Sequence, residues 1–335
     1  MKAIADGGAE AFYNGTIAEQ IVAFSQTNGG FLSQSDFVDH TAEWVDPVST
    51  NYRGYDMWEL PPNGQGIAAL QMLNLLEPYD LRSLGPGHPQ YLHQFIEAKK
   101  LAFADRAKFY ADPAMADVPV KELISKAYAS GRGELIDRDK AAVDVPAGDP
   151  RLARGDTIYL TVVDKDRNCC SLIQSVYFGF GSQVTPGDVG FAMQNRGALF
   201  ALDEKHANRL EPHKRPFHTI IPAMVTKDGK PWLSFGVMGG AMQPQGHVQV
   251  LIRMFCQGRS PQQALDAPRW YVAEDFSICL EPDLNHLSAE LSARGHGFMT
   301  PSSSGLFGGG QIILRSTDGY IAGSDPRKDG HAAGF

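Results

Sequence analysis

The residue with the clearest chemical potential stands where a polar loop ends and a strand begins. Asp156 closes the loop, Thr157 follows it, and residues 158–163 are β-branched or aromatic apart from Leu160, which predicts a strand. A cut between Asp156 and Thr157 would free the α-amine of Thr157, which could take the proton of its own hydroxyl and make it a nucleophile. A threonine that simply opens a strand is the more ordinary interpretation, and this segment alone leaves both open.

A second candidate is the pair Gly239-Gly240, which lies between a predicted strand at residues 232–237 and a predicted helix at residues 243–257. Two glycines let backbone amides approach a ligand closely, and the start of a helix adds partial positive charge. This arrangement could form an oxyanion hole. A tight strand-to-helix turn with no chemical role is the other interpretation.

The remaining motifs indicate structure rather than chemistry. His213 and His218 have no acidic or cysteine partner at ligand spacing, so we expect no metal site, and no cofactor motif is present. The glycine-rich residues 305–310 lack the lysine of a phosphate loop and the spacing of a dinucleotide site, which favours a packing or turn role. For residues 325–327 we expect a buried ion pair that fixes the C-terminal tail.

Composition narrows the class of protein. The chain has 335 residues, is 43% hydrophobic and carries a net charge of -8 spread along its length, which argues against a nucleic-acid or anionic-membrane partner. It contains no apolar run of membrane-spanning length, and its first residues lack the apolar core of a secretion signal. The four cysteines match no zinc spacing. We therefore expect free thiols and a cytoplasmic location.

The elements that would position these residues fall into two parts. Residues 9 to about 140 are predicted to be mainly helical, and the part after Thr157 mainly strands, which predicts an α+β fold. A linker of poor periodicity occupies residues 140–156. The predicted helices are residues 9–27, 33–39, 67–76, 89–110, 120–130, 243–257 and 261–267. The predicted strands are residues 159–163, 168–175, 220–225, 232–237, 311–316 and 320–323, and strand-like segments are also predicted within residues 44–60, around residues 52–55.

Several motifs occur in an ordered series along nearly the whole chain. They are Tyr52-Arg53-Gly54-Tyr55 with Pro61-Pro62, Glu97-Ala98-Lys99-Lys100-Leu101-Ala102-Phe103-Ala104-Asp105-Arg106 with Asp112-Pro113, Gly155-Asp156-Thr157 with Val162-Val163-Asp164, Met238-Gly239-Gly240, Gly308-Gly309-Gly310-Gln311, and Gly323-Ser324-Asp325-Pro326-Arg327. In order and spacing this series resembles the γ-glutamyltransferase family of N-terminal nucleophile hydrolases. The resemblance favours the chemical interpretation of Thr157 and of Gly239-Gly240.

The resemblance implies a four-layer αββα sandwich and a precursor that cuts itself between Asp156 and Thr157. Residues 1–156 would be the C-terminal part of the large subunit and residues 157–335 the small catalytic subunit, associated as an α/β heterodimer, with a dimer of heterodimers as a further assembly. Thr157 would attack a small amide substrate through an acyl-enzyme, with the Gly239 and Gly240 amides holding the oxyanion. Ser175 falls where the family places a hydroxyl bonded to the nucleophile's amine.

The substrate-binding positions depart from the family. Leu199 stands where the family places an aspartate for the substrate's α-amine, and His218-Thr219 replace a pair of serines. Asn195-Arg196 and the segment at residues 242–247 resemble instead the subgroup of oxamate amidohydrolase and cephalosporin-acylase-like proteins. Arg196 would hold a substrate carboxylate through a planar two-point contact, or else form a structural salt bridge.

The resemblance also indicates that the family's large subunit begins upstream of Met1, so we expect a fold that is incomplete at its N-terminus. Two alternatives to the amidohydrolase therefore stay open. One is an unprocessed or inactive relative with a binding or assembly role. The other is a true γ-glutamyl transferase or glutathione hydrolase.

Overall fold

A computed structural model describes residues 1–143, 145, 156–301 and 304–335. The chain divides into two compact units. The smaller unit comprises Met1–Val45 and Val176–Asn195, and the larger comprises Asp46–Ser175 and Arg196–Phe335. Among the described helices, none combines the length and apolar character that a membrane-spanning segment needs.

The smaller unit is built on helices α1 (Lys2–Tyr13), α2 (Thr16–Thr27) and α3 (Gln34–Val38). The prediction of one helix over residues 9–27 is wrong, because Gly15 takes an extended conformation (φ -106°, ψ -164°) at the N-cap of α2 and separates two helices. Helix α3 begins with a capping box between Ser33 and Asp36, as its sequence predicts. The apolar core of this unit comprises Ile17, Ala18, Ile21, Val22 and Phe37, with Val189, Phe191 and Met193 packed against it.

The strands that follow along the chain are β1 (Val48–Tyr52), β2 (Tyr55–Glu59), β3 (Asp156–Val163), β4 (Cys169–Tyr177), β5 (Ala223–Lys227), β6 (Lys230–Met238), β7 (Trp270–Val272), β8 (Ile278–Leu280), β9 (Gly309–Arg315) and β10 (Tyr320–Ser324). The helices are α4 (Gly66–Leu76), α5 (Leu81–Leu84), α6 (Pro89–Phe109), α7 (Val120–Leu123), α8 (Lys126–Gly133), α9 (Met242–Gln257), α10 (Pro261–Asp266) and α11 (Ser288–Ala293). The one helix predicted over residues 120–130 is two, α7 and α8, because the Ser125 side chain caps α8 by accepting from the Tyr128 amide. Strands β7 and β8 were not predicted, since each has only three residues.

The main sheet has six strands in the order β1-β2-β5-β6-β9-β10, and each neighbouring pair is antiparallel. The β1–β2 hairpin closes at Arg53-Gly54, where both residues have positive φ (52° and 88°), the conformation of a type I′ turn. Strand β6 lies inside the sheet. It ends at Met238, immediately before the glycine pair, so the sheet itself fixes where that turn begins.

The two faces of β6 contact different layers. On one face, the Ser234 hydroxyl lies 2.6 Å from the Thr161 hydroxyl of β3, and the Tyr159 ring packs on Gly236, where an added Cβ would lie 2.5 Å from the ring. On the other face, the Phe235 ring packs on the His247 ring of α9, with centroids 4.9 Å apart. Because side chains alternate along a strand, β6 separates a helical layer from the two-stranded β3–β4 sheet.

Ion pairs hold the tail, and the pair at Asp325 is buried, as expected for residues 325–327. The Arg269 guanidinium lies 2.5 Å from the Asp325 carboxylate, and both side chains are fully buried. Arg327 lies 2.5 Å from Glu281. The four cysteines are free, as predicted, with Cys256 and Cys279 buried.

Candidate active site

Thr157 is the second residue of β3, and its side chain is buried. Its hydroxyl donates to the Ser175 hydroxyl on β4, with 3.1 Å between the two oxygens. The two-stranded sheet therefore places both predicted hydroxyls side by side. In this uncut chain the contact is made by the Thr157 hydroxyl, whereas the bond of Ser175 to a free amine stays a prediction.

An apolar cluster joins the strands that carry the predicted residues. Tyr159, Ile173 and Met238 are buried together, and Ile220 packs against them. Tyr159 lies two positions after Thr157, and Ile173 two positions before Ser175. Met238 and Ile220 directly adjoin Gly239 and Thr219 in the chain. Packing of these four side chains thus brings the predicted nucleophile, glycine turn and substrate segment to one place.

The glycine turn needs glycine for both conformation and space. Gly239 has φ 127° and Gly240 has φ 60°, values that favour glycine. A Cβ on Gly239 would lie 3.0 Å from the Cα of Gly308. The glycine-rich segment expected to be structural therefore packs directly on the turn. The Met242 amide donates to the Gly239 carbonyl at 3.0 Å, and helix α9 begins there.

Two buried polar networks that the sequence did not reveal reach this turn. The first network reaches Gly240. The Gln65 Nε2 donates to the carbonyls of Thr219 (2.7 Å) and Gly240 (2.9 Å), and its Oε1 accepts from Arg106 (2.7 Å). The second network reaches Val237, at the end of β6, whose amide donates to His247 Nε2 at 3.0 Å, and His247 Nδ1 lies 2.8 Å from Glu59. Burial lowers the pKa of His247 to about 3 and raises the pKa of Glu59 well above its usual value, because desolvation disfavours the charged form of each group.

The predicted substrate residues of the larger unit also lie together. Arg196 begins a 3₁₀ helix, is buried, and donates from Nη1 to the Thr219 hydroxyl at 3.4 Å. The backbone amide of His218 donates to the Asn63 carbonyl at 3.0 Å. Desolvation of the His218 ring, aided by the Arg196 charge, lowers the pKa of His218 to about 3. A neutral imidazole thus stands beside a permanent cation.

Asn195, the other predicted substrate residue, belongs to the smaller unit. Its side-chain oxygen accepts from the Phe178 amide at 3.1 Å, and its own amide donates to the Val176 carbonyl at 3.2 Å. The structure therefore gives Asn195 a local bonding role. A contact with substrate stays a prediction.

A buried group that the histidine pattern did not reveal is His93, Glu97 and His296, whose ligand atoms lie within 4.8 Å of one another. His93 Nδ1 and His296 Nε2 bond to each other at 2.8 Å, and the Lys100 ammonium lies 2.8 Å from Glu97. Both ring nitrogens of His93 are thus paired, and the Lys100 ammonium already neutralises the Glu97 carboxylate, which disfavours a metal. Two of the outward bonds go to backbone carbonyls, that of Asp137 just before the predicted linker and that of Ala142 at its start.

Known proteins are similar to this chain over its whole length. The whole chain, residues 1–335, matches the family described as Gamma-glutamyltranspeptidase. The chain belongs to this family. This member of the gamma-glutamyltranspeptidase family is 41% identical over 347 residues to the glutathione hydrolase-like YwrD proenzyme of Bacillus subtilis (strain 168), covering 100% of this chain and 64% of that protein. It is 32% identical over 343 residues to the oxamate amidohydrolase proenzyme of Klebsiella pneumoniae subsp. pneumoniae, covering 100% of this chain and 64% of that protein.

Among solved structures, the family member resembles the cephalosporin acylase from Bacillus halodurans, with a TM-score of 0.91 and 42% identity, covering 100% of this chain and 61% of that one. The predicted resemblance to the family and its acylase and oxamate amidohydrolase subgroup is confirmed, as is a mixed α/β fold of this type. The chain spans less than two thirds of the length of each of these relatives.

Proposed function

We propose that this chain is the catalytic part of a self-cleaving amidohydrolase with Thr157 as its N-terminal nucleophile. The observation that carries the proposal is the buried Thr157 hydroxyl, 3.1 Å from the Ser175 hydroxyl, on a strand that the Tyr159–Ile173–Met238 cluster joins to the glycine turn. A nucleophile, a hydroxyl partner and a candidate oxyanion hole then share one site. That set is sufficient for acyl transfer.

The first step makes the nucleophile. The Thr157 oxygen attacks the Asp156 carbonyl carbon, the C–N bond of that peptide breaks, and its nitrogen takes the hydroxyl proton. The resulting ester between Asp156 and Thr157 is hydrolysed by water, which leaves a carboxylate on Asp156 and a free α-amine on Thr157. The predicted products are residues 1–156 and residues 157–335.

The second step uses that amine. The Thr157 hydroxyl attacks a substrate amide while its α-amine takes the proton, and the amides of the Gly239-Gly240 turn stabilise the oxyanion. The C–N bond breaks, the amine product leaves with the proton, and an acyl ester stays on Thr157. Water then attacks this ester by the same route and releases the acid, restoring the hydroxyl. Ser175 would bond to the amine through the cycle.

The substrate we propose is a small amide whose acyl part ends in a carboxylate. Arg196 offers a buried guanidinium beside the Thr219 hydroxyl, a donor set suited to a carboxylate. The neutral His218 adds no negative charge there, and no carboxylate stands at Leu199 to hold an α-amine. Relatives named for oxamate, which has such a carboxylate, and for cephalosporin support this class.

For the assembled protein we propose the four-layer αββα sandwich, with the two cleavage products associated as an α/β heterodimer. Strand β3 presents Ile158, Leu160 and Val162 on its outer face, exposed by 62%, 42% and 53%. Leu172 of β4 is exposed by 46%. An apolar face of this kind on a two-stranded sheet is suited to a further helical layer.

The test is amide hydrolysis by the purified full chain. Glutaryl-p-nitroanilide is the probe for a carboxylate-bearing acyl group, and γ-glutamyl-p-nitroanilide is the comparison. We expect p-nitroaniline release from the first probe by wild type, release at a reduced rate by Thr157→Ser, and none by Thr157→Ala. Equal turnover by wild type and Thr157→Ala would contradict the proposed nucleophile, and turnover of only the γ-glutamyl probe would contradict the proposed substrate class.

A further inference from the structure

The loop at residues 60–65, between β2 and α4, contacts two parts of the proposed site, the Thr219 segment and the glycine turn. We propose that Gln65 is a positioning residue for the reaction, which couples the Thr219 segment to the glycine turn through its side-chain amide. This inference rests on the proposed function for its catalytic consequence. The structural coupling itself stands on hydrogen bonds among described residues.

The loop first fixes the segment that carries His218 and Thr219. The Asn63 side chain donates to the Pro216 carbonyl at 2.7 Å, and the Asn63 carbonyl accepts from the His218 amide at 3.0 Å. Gly64 lies so close that an added Cβ would be 2.9 Å from Cε1 of His218. The loop backbone therefore packs directly on the segment from Pro216 to His218.

Gln65 extends this contact to the glycine turn. It is fully buried, and its Nε2 donates to two carbonyls from distant parts of the chain, those of Thr219 and Gly240, at 2.7 and 2.9 Å. Both protons of one amide group are thus committed to the two segments. A shift of either carbonyl would leave a buried donor unsatisfied, which is unfavourable, so the two segments are held in one relative position.

Arg106 determines which way the Gln65 amide points. A guanidinium can only donate, so the Gln65 atom that faces it at 2.7 Å must be the oxygen, and Nε2 must face the carbonyls. Arg106 is itself buried. It forms an ion pair with Glu274 and lies over the Phe103 ring, 3.8 Å from the centroid. The orientation of the amide is therefore imposed by a fixed cation.

The coupling crosses the proposed cleavage position. Gln65 and Arg106 precede it, whereas Thr219, Gly240 and Glu274 follow it. Residues 1–156 would thus contribute to catalysis by holding the Gly240 peptide in the orientation that oxyanion binding requires. A small displacement of such a group lowers the rate more than it weakens substrate binding.

The variants are Gln65→Met, which removes all three hydrogen bonds, and Gln65→Glu, which keeps the shape and the Arg106 contact but removes both donors. The matched control is Gln249→Met. Gln249 is also a buried glutamine, and its amide bonds both ways to the Trp270 backbone, away from the turn. Deuterium exchange of peptides covering residues 216–221 and 236–243 measures the coupling, and steady-state hydrolysis of glutaryl-p-nitroanilide measures its consequence.

We expect faster exchange in both segments for the two Gln65 variants and wild-type exchange there for Gln249→Met. We expect kcat to fall about 10-fold to 100-fold with a smaller change in KM for the Gln65 variants, and by less than about 3-fold for the control. Should wild type hydrolyse no amide, the proposed function fails while the exchange measurement still decides the coupling. Exchange in both segments equal to that of Gln249→Met would overturn the role of Gln65.

Discussion

The two halves of the proposed site are held in different ways. The glycine turn ends a strand inside the six-stranded sheet and is bonded on both sides, to Gln65 through Gly240 and to His247 through Val237. The Thr157 strand belongs to a two-stranded sheet. Every second residue of that strand, Ile158, Leu160 and Val162, lies on its outer face and is exposed. Its hydroxyl contact is with Ser175 on the neighbouring strand.

This difference indicates that the two halves of the proposed site are prepared for the reaction in different ways. In our proposal, the oxyanion side is organised before any substrate arrives, because buried amides and carbonyls fix the glycine turn. The nucleophile side would become active only when the chain is cut, and in the proposed four-layer assembly its outer face would be covered. The inner face of the β3–β4 sheet, through Tyr159 and Ile173, is the structural link between the two sides.

The largest effect should come from the turn. Gly239→Ala places a Cβ 3.0 Å from the Gly308 Cα at a φ of 127°, so the turn must move and the oxyanion donors with it. We expect kcat on glutaryl-p-nitroanilide to fall about 100-fold to 1000-fold. Gly229→Ala is the control, since Gly229 also has positive φ (70°) but open space around it. An equal fall of kcat in both variants would mean that backbone strain at a positive φ lowers the activity, and not a displacement of the glycine turn.

A second comparison uses adjacent residues on the two faces of β4. Ile173 is buried in the cluster, and we expect Ile173→Ala to lower the free energy of unfolding by about 2 kcal/mol in urea titration. Leu172 is 46% exposed on the opposite face, and Leu172→Ala should cost less than about 1 kcal/mol. Similar costs at both positions would show that the outer face is already packed.

Substrate affinity should depend on the geometry of Arg196. Arg196→Lys keeps the charge but loses the planar two-point contact with a carboxylate, so we expect KM for glutaryl-p-nitroanilide to rise about 10-fold with little change in kcat. The control is Arg209→Lys, because Arg209 is a partly exposed side chain paired with Glu211. An unchanged KM in Arg196→Lys would mean that Arg196 has a structural role and does not bind the substrate carboxylate.

The smallest effect we expect is a change in the pH dependence of the free energy of unfolding when His218 is replaced. The unfolded chain binds a proton at His218 near the ordinary pKa of about 6.5, whereas the folded imidazole stays neutral down to about 3. Between these values the free energy of unfolding falls as the pH falls, by at most about 1.4 kcal/mol per pH unit. His218→Asn should reduce that slope in urea titrations from pH 6.5 to 4. An equally steep slope in the variant would contradict a neutral, desolvated His218.

The sequence predicted the residues whose types alone carry the chemistry. Thr157 at a strand start and Gly239-Gly240 between a strand and a helix are local patterns, and most of the long elements were predicted to within a few residues. The supporting contacts join distant positions, such as Gln65 with Gly240 or His93 with His296, and no local period reveals them. The burial of helix α6 could not be predicted from its sequence either, because several of its buried residues are charged, including Lys99, Lys100 and Arg106.

The division of the chain into units was also beyond local patterns. The sequence predicted a boundary at the cleavage position, with residues 1–156 and 157–335 on either side, and this stays a prediction about the processed protein. The compact units instead group residues 176–195 with the first 45 residues. Of the predicted linker, residues 140–156, residues 144 and 146–155 lie outside the described residues.

The central claim is that one peptide bond of this chain breaks to create the nucleophile. Intact-mass measurement of the purified protein, with Edman sequencing of its fragments, tests this most directly. We predict two fragments, residues 1–156 and 157–335, the second beginning at Thr157, and a single uncut chain for Thr157→Ala. Amide turnover by wild-type protein that stays one chain, with its N-terminus only at Met1 or Lys2, would contradict the account.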